Sequence, residues 1–314
     1  MVKVSICIPT YNNAGEVSHL LDSIFAQDYR SLEVNISDDS TNTEIEEVVK
    51  HNAERFEREQ ISLHYIHNDK PLGHIFNWNA AIGMATGEYI KIMFSDDWFT
   101  RSDSLSLFVK MLDEHSEADI AFCGSRQVML PDSNQESIKH VTEFSKQQSY
   151  DRCASAEFIE CLKSDYRNLF LGNQIGAPSA VIYRRNEQAA LFDEKSNWAS
   201  DMFLYFDILQ KNPKFVYTNE PLISIGVHEH QYTESFAERD MRIYNDYKYL
   251  YTKYLLADSK ACRDYFLKSY IVKYRRGIRE AIDLQISGWT YVKVQICEFM
   301  ESVRCFVRHR FLNK

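Results

Sequence analysis

Residues 4–39 decide the fold: VSICIPTYNNAGEVSHLLDSIFAQDYRSLEVNISDD. The opening run up to Thr10 is rich in β-branched residues and predicts a short strand, which the turn NNAG follows. Apolar residues then recur at helical spacing over residues 17–25, and the run LEVNIS predicts a second strand that stops at two aspartates. A strand, a helix and a strand in this order predict a right-handed crossover between parallel strands.

The same alternation continues along the chain and sets its domain organisation. Strand and helix patterns alternate to about residue 125 and return from about residue 177, whereas from about Ser235 the pattern is helical. In this last region apolar residues recur every fourth residue from Phe266 to Ile282, and those from Val292 to Phe306 follow the 4-3-4-3 spacing of one helix face. We predict an α/β domain with a doubly wound, mostly parallel sheet over residues 1–234, its halves 1–125 and 126–234, and a helical region over residues 235–314.

Charge is distributed unevenly between these regions. The 314 residues carry a net charge of -9, but residues 260–314 contain 12 Lys and Arg against 5 Asp and Glu. The acidic remainder argues against nucleic acid as the main partner. The basic end of the chain instead suits an anionic surface, such as membrane head groups.

Cysteine usage and hydropathy indicate the compartment. The seven cysteines are scattered without a CxxC pair, which predicts neither a disulfide framework nor a thiolate zinc site and fits a reducing cytoplasm. The first residues lack the pattern of a signal peptide, and no run of about 18 apolar residues occurs. We therefore expect a cytoplasmic protein that does not span a membrane.

Three polar loops follow predicted strands: PTYNN after the first, SDDST after the second and SDDWF after the fourth. Ligands bind at the carboxyl ends of parallel strands, so we expect these loops to form one site. Each loop alone also fits a structural role. PTYNN fits an ordinary turn, SDDST a helix cap and SDDWF a solvated acidic turn.

The adjacent carboxylates of Asp96 and Asp97 in the third loop indicate a bound cation. Like charges repel unless a cation lies beside them, and oxygen ligands without thiolates suit Mg²⁺ or Mn²⁺. The sequence contains neither a P-loop motif nor GxGxxG. We therefore expect the metal, rather than a glycine-rich backbone, to hold the phosphates of a nucleotide.

Longer stretches carry a resemblance to a known family. Residues 4–41 and 68–99, together with GAPSAVIYRRNEQAALFDEKSNWASDMFLYFDIL at 176–209 and EPLISIGVHEHQYT at 220–233, resemble glycosyltransferase family 2. These are inverting enzymes of the GT-A fold, and the resemblance covers residues 2–234. It implies that the first half of the domain binds a nucleotide-sugar donor and the second half the acceptor.

The resemblance assigns donor-binding and metal-binding roles to the polar loops. It implies that Asp39 accepts a hydrogen bond from the nucleobase, which favours uracil, and that Asp97 binds a divalent cation, Mn²⁺ or Mg²⁺, on the diphosphate. Asp96 would hold the ribose or help to bind the metal. The remaining implied positions are Pro9, Thr10 and Tyr11 around the base and His228 on the metal, although a histidine after a strand is more often structural.

The resemblance also assigns the chemistry. Asp201 matches the carboxylate that takes the proton of the acceptor hydroxyl while its oxygen attacks the anomeric carbon from the opposite face. Its structural alternative is an acid at a helix N-terminus. Asn79 and Gly87 match family positions that we interpret as architectural.

Five positions depart from the family pattern. Phe94 stands where many members have an acid, and Trp78 stands where an arginine is common. Ser200 replaces a glutamate that commonly precedes the base, so the acceptor geometry is expected to differ. The two other departures are Ala81, in place of glycine, and Gly226, in place of arginine.

The sequence thus predicts a metal-dependent hexosyltransferase that moves a sugar from a nucleotide sugar, in first place a UDP-sugar, to a saccharide or lipid-linked saccharide in cell-surface polysaccharide synthesis. The basic C-terminal helices would pack on the core with their charges solvated, and contact with the inner face of the cell membrane is a second role compatible with that packing. One alternative is a nucleotidyltransferase of nucleotide-sugar metabolism, which should show a glycine-rich, basic N-terminal loop that CIPTYNN lacks. The other is a non-catalytic saccharide-binding protein, which would not need the four aspartates Asp39, Asp96, Asp97 and Asp201.

Overall fold

The chain forms two compact units. The structure is a computed structural model that describes residues 2–130, 149–186, 189–227 and 236–311, with side chains described up to residue 300. Unit 1 comprises Met1–Tyr166, Asn173–Ser196 and Ser200–Ser235, and unit 2 comprises Arg167–Gly172, Asn197–Ala199 and Phe236–Lys314. Each unit is described by itself.

Unit 1 is built on a mixed sheet. In the described residues its strands are β1 Val4–Thr10, β2 Leu32–Asp38, β3 Ser62–His67, β4 Tyr89–Ile92, β5 Asp97–Phe99, β6 Ile120–Met129, β7 Ser149–Arg152, β8 Val181–Arg184 and β9 Phe215–Val227. The strand order is β3-β2-β1-β4-β8-β6-β9-β5, and β7 pairs with β6.

The first four strands of this order follow the sequence prediction. β3, β2, β1 and β4 are mutually parallel, and β1 and β2 are buried along their whole length, as expected for strands covered on both faces. β8 runs antiparallel to β4 and β6, and β5 runs antiparallel to β9. The predicted α/β class with a helical C-terminal region is confirmed, and the sheet is mixed rather than mostly parallel.

Six helices of unit 1 are described: α1 Ala14–Phe25, α2 Glu44–Arg58, α3 His74–Gly83, α4 Ser104–Asp113, α5 Ala156–Ser164 and α6 Ser200–Lys211. In α1 four apolar residues of the predicted face are fully buried and Phe25 is partly buried; the four are Val17, Leu20, Leu21 and Ile24. Each such side chain stabilises the fold by about 1.5–3 kcal/mol relative to exposure. The crossover that the opening stretch predicts is therefore anchored on the sheet by this helix face.

Unit 2 is helical. It contains α7 Met241–Lys253, α8 Lys260–Phe266, a π-helical turn at Leu267–Val272, α9 Ile278–Asp283 and α10 Gly288–Phe311. Stacked rings hold it together, with centroids 4.2 Å apart for Tyr247 and Tyr270. The four-residue apolar spacing does not form one helix, because the chain turns at Arg275, which has a φ of 54°, and at Gly277 before α9 begins.

Candidate donor and catalytic site

The carboxylate of Asp38 joins the ends of β1 and β2. It is buried and accepts hydrogen bonds from Thr10 Oγ1 at 3.1 Å, Ser40 N at 2.9 Å and Tyr65 OH at 2.7 Å. Burial raises the pKa of Asp38, but these hydrogen bonds outweigh it and hold the pKa below its ordinary value. Sequence reasoning missed this residue, because only the pairing of Thr10 with Asp38 across the strands brings the two together.

Asp39, the residue expected to contact the nucleobase, holds the loop before α3. Its Oδ1 accepts from Asn68 Nδ2 at 2.8 Å, and its Oδ2 accepts from Gly73 N at 2.9 Å. Each carboxylate oxygen has two acceptor positions, so these contacts leave capacity for a ligand N–H. The buried carboxylate thus has a structural role that does not preclude the expected one.

The loop after β1 connects the other two polar loops. Asn12 adopts a left-handed φ of 51°, and its N donates to Ser40 Oγ at 2.8 Å. Asn13 Nδ2 donates to Ser95 Oγ, which precedes the aspartate pair. Tyr11, which precedes these asparagines, is exposed, whereas Pro9 and Thr10 are buried. The structure therefore brings PTYNN, SDDST and SDDWF together at one edge of the sheet.

The two adjacent aspartates have different environments. Asp97 begins β5 and is buried, and its carboxylate accepts a hydrogen bond from Ser179. Burial and the neighbouring charge of Asp96 raise the pKa of Asp97 well above its ordinary value. Asp96 is partly exposed, so it has the more accessible carboxylate of the pair.

Lys91 is the buried cation on the β4 side of Asp97. Its ammonium donates to the Ser179 carbonyl and lies 4.8 Å from the centroid of the Phe108 ring. Burial lowers the pKa of Lys91 to about 7, against the favourable charge of Asp97. The charge of Asp97 favours the ionised form of the buried Lys91, so Asp97 has a structural role whether or not it binds a ligand.

The donor set at this edge fits a cation shared with a substrate. Among the residues with described side chains, no three His, Cys, Asp or Glu lie close enough to hold a metal by themselves. Mg²⁺ commonly binds through one or two carboxylates and completes its shell with substrate phosphates and water. A partly exposed Asp96 suits that mode, and His228 lies outside the described residues.

Gly226 lies against the backbone of Asp96. Its N donates to the Asp96 carbonyl at 3.1 Å, and a Cβ at this position would lie 2.5 Å from the same oxygen. An arginine at this position, as in the family pattern, would therefore require a different backbone. The departure at residue 226 thus has a steric reason.

We expect Gly226→Ala to lower the melting temperature by several degrees, because overpacking against backbone costs about 1–3 kcal/mol. Gly83→Ala is the matched control, since a Cβ at Gly83 meets nothing within 4 Å. Differential scanning fluorimetry of both variants measures the effect. Equal melting temperatures for Gly226→Ala and the wild type would contradict the close approach of residue 226 to the Asp96 carbonyl.

Two departures from the family pattern pack against each other. The rings of Trp78 and Phe94 have centroids 4.8 Å apart, and Phe192 lies 4.8 Å from Trp78 on another side. Asn79, predicted to be architectural, exchanges two hydrogen bonds of 2.9 Å with the backbone of Phe192. An aromatic contact thus occupies the positions where an acid and an arginine were expected.

Asp201 lies in the first turn of α6, where the predicted general base should be. Its Oδ1 accepts from Met202 N at 2.7 Å and its Oδ2 from Asn173 Nδ2 at 2.6 Å. Desolvation of the carboxylate raises its pKa to about 6, and both hydrogen bonds oppose that rise. A carboxylate with a pKa in this range can accept a proton at neutral pH.

Asn173 orients Asp201 and was not predicted. Its Oδ1 accepts from Ile175 N at 3.0 Å and Gly176 N at 3.2 Å, and Gly176 has a φ of 99°. The sequence signal is the run NQIG, in which an asparagine turn is followed by a glycine that tolerates positive φ. This turn directs the Asn173 amide toward the Asp201 carboxylate.

A mixed α/β sheet with carboxylates at its strand ends and a carboxylate at a helix start is the arrangement expected for the class of GT-A glycosyltransferases. The chain matches the family Glycosyl transferase family 2 over residues 5–186, more than half its length. It therefore belongs to that family.

Named relatives lie within the same class. The chain is 32% identical over 126 residues to abequosyltransferase RfbV of Salmonella typhimurium and 28% identical over 114 residues to the GalNAc(5)-diNAcBac-PP-undecaprenol beta-1,3-glucosyltransferase of Campylobacter jejuni. These matches cover 40% and 36% of this chain. They span 36% of the length of each relative, roughly a third.

Solved structures show the same fold. S. aureus TarS in complex with UDP-GlcNAc superposes with a TM-score of 0.61 at 17% identity, over 93% of this chain and 79% of that chain. The mannosyltransferase PcManGT from Pyrobaculum calidifontis, in complex with GDP-Man and Mn²⁺, gives 0.57 at 19% identity, over 96% and 75%. The prediction of a GT-A fold is thereby confirmed.

Proposed function

We propose that the protein is an inverting, metal-dependent glycosyltransferase that uses a nucleotide-sugar donor. The observation that carries the proposal is the convergence of the Asp39 and Asp96 loops at one sheet edge, in a fold that also supplies Asp201 with a pKa near 6. We favour a UDP-sugar, because Asp39 retains acceptor capacity for the ring N–H of uracil. A TarS structure with UDP-GlcNAc supports the same choice.

The residues of the site have two kinds of role: some bind the donor and the metal, and Asp201 accepts a proton. Asp39 and the loop after β1 would hold the nucleotide, and the aspartate pair would hold the divalent cation. The resemblance implies Asp97 as the ligand, whereas the greater exposure of the Asp96 carboxylate favours Asp96. The cation supplies charge neutralisation on the diphosphate as the bond to the anomeric carbon breaks. Asp201 takes the proton of the acceptor hydroxyl while the oxygen forms the new bond on the opposite face, and the nucleoside diphosphate leaves.

We further propose that the acceptor is a saccharide or a lipid-linked saccharide of cell-surface polysaccharide synthesis, met at the inner face of the cell membrane. The Campylobacter jejuni relative is named for an undecaprenol-linked saccharide, and residues 260–314 are basic. No helix in the described part of the chain is long and apolar enough to cross a membrane.

A donor screen tests the proposal. We expect one nucleotide sugar among UDP-, GDP- and dTDP-sugars to raise the melting temperature by a few degrees with Mn²⁺ and not with EDTA, since saturating ligand stabilises by about 2–3 kcal/mol. The same donor should be hydrolysed slowly to the nucleoside diphosphate. Binding without turnover would favour a non-catalytic saccharide-binding protein, and release of pyrophosphate from a nucleoside triphosphate would favour a nucleotidyltransferase.

A further inference from the structure

The last helix of unit 2 exposes an apolar face. In α10 the side chain of Trp289 is 77% exposed, Ile296 53% and Phe299 71%. Val292 and Met300 are exposed as well, and spacings of three and four residues place all five on one side of the helix. Soluble proteins rarely expose contiguous apolar surface without a partner for it.

Contacts on the other side of α10 fix this orientation. Tyr291 OH donates to the Arg276 carbonyl at 3.1 Å, and Gln295 Nε2 donates to Tyr291 OH at 3.2 Å. Position 288 lies close to α9, since a Cβ there would lie 3.3 Å from Ile278 Cδ1 and 3.5 Å from Ile282 Cδ1. Ile282 is itself 55% exposed. The α10 apolar face, defined as Ile282, Trp289, Val292, Ile296, Phe299 and Met300, therefore extends from α9 along the described part of α10.

The charge on either side of this face in the sequence indicates the occupant. Of the 12 Lys and Arg in residues 260–314, 10 lie in residues 260–276 and 304–314, which contain one acidic residue, whereas residues 277–303, which carry the face, contain 2 Lys and Arg and 4 Asp and Glu. An apolar helix face flanked by basic stretches, with an exposed tryptophan at one end, is the chemistry of a helix that lies in the plane of an anionic membrane. No described helix can cross the bilayer, so contact would be superficial.

We propose that the α10 apolar face inserts into the interfacial layer of an anionic membrane, with Trp289 and Phe299 as the principal inserted groups. The proposal rests on the proposed function in one respect: a lipid-linked acceptor would be bound at the membrane surface. Membrane binding itself needs no donor, metal or turnover.

Vesicle flotation of the full chain tests the insertion. We expect the wild type to float with vesicles of equimolar phosphatidylcholine and phosphatidylglycerol and to float far less with phosphatidylcholine alone. A Trp289→Glu/Phe299→Glu variant should lower the bound fraction about tenfold, because two charges would enter the apolar layer. Tyr150→Glu is the control, since Tyr150 in β7 is 62% exposed and apolar but lies in unit 1.

A second readout locates the inserted group. The fluorescence of the wild type should shift to the blue on adding the anionic vesicles, and Trp289→Phe should float while losing most of that shift. Flotation of the double variant at the wild-type level, or no flotation of the wild type, would overturn the proposal. A dimer that the double variant abolishes in analytical ultracentrifugation, without any flotation, would instead assign the face to a second copy of the chain.

Donor hydrolysis without vesicles separates this inference from the proposed function. The double variant should hydrolyse the soluble donor at the wild-type rate, because the α10 apolar face contains no residue assigned to catalysis. Flotation without any hydrolysis would contradict the glycosyltransferase proposal and leave the membrane surface in place. Hydrolysis without flotation would contradict the membrane insertion and leave the glycosyltransferase proposal in place.

Discussion

We expect Asp201→Asn to lower kcat for sugar transfer by about 10²–10⁴-fold, the usual contribution of a positioned general base. The amide has almost the same shape as the carboxylate but cannot accept the acceptor's proton. Fold and donor binding should persist, because the exchange preserves the size of the side chain at the start of α6. A coupled assay of nucleoside diphosphate release, with donor-induced thermal shift measured in parallel, checks both expectations.

The pH dependence of activity tests the same assignment and does not depend on the fraction of active enzyme in each preparation. With a pKa of about 6 for Asp201, wild-type kcat/KM should rise with pH and reach half its plateau near pH 6, since only the ionised carboxylate accepts a proton. Removing the Asn173 hydrogen bond, which favours the ionised form, should move that midpoint to higher pH in Asn173→Ala. Asp207→Asn, an acid in the same helix, is the matched control. An active Asp201→Asn enzyme with an unchanged profile would contradict the assignment of the base.

The sequence predicted those features that depend on local patterns. The alternation of apolar runs was enough to predict β1, α1 and β2, and the rule that ligands bind at the ends of parallel strands was enough to predict that three polar loops meet. These features depend on residues that are close in the sequence or on a general rule of sheet topology. Asp201, in contrast, was assigned only through the resemblance to glycosyltransferase family 2.

The features that the sequence did not predict depend on distant pairing. Asp97 was interpreted as a loop residue, but it begins β5, which pairs antiparallel with β9, and its carboxylate is buried. Asp38 acquires its role only through the strand that carries Thr10. The turn between α8 and α9 had a local signal, Gly277, but the pattern around it predicted only that the region is helical.

Asp96→Asn should have the second large effect, a loss of metal-dependent donor binding and a fall in transfer of about 10²–10³-fold. Removing one group that stabilises charge in a transition state typically costs this much. Asp96 is partly exposed, so its amide variant should unfold at nearly the wild-type temperature. The telling measurement is the melting temperature with donor, in Mn²⁺ and in EDTA: the wild type should respond to the metal and the variant should not.

The Asp97→Asn variant tests which of the two adjacent aspartates, Asp96 or Asp97, binds the metal. If Asp97 mainly offsets the charge of the buried Lys91, its replacement removes a favourable charge and should lower the stability of the fold. Part of that cost is avoidable, because burial lowers the pKa of Lys91 to about 7 and the side chain can become neutral. We therefore expect a lower melting temperature that recovers as pH rises above 7, with the response to Mn²⁺ and donor retained. An Asp97→Asn variant with the wild-type melting temperature and no response to the metal would instead assign the cation to Asp97. A lowered melting temperature in Asp96→Asn alone would contradict the structural difference between the two carboxylates.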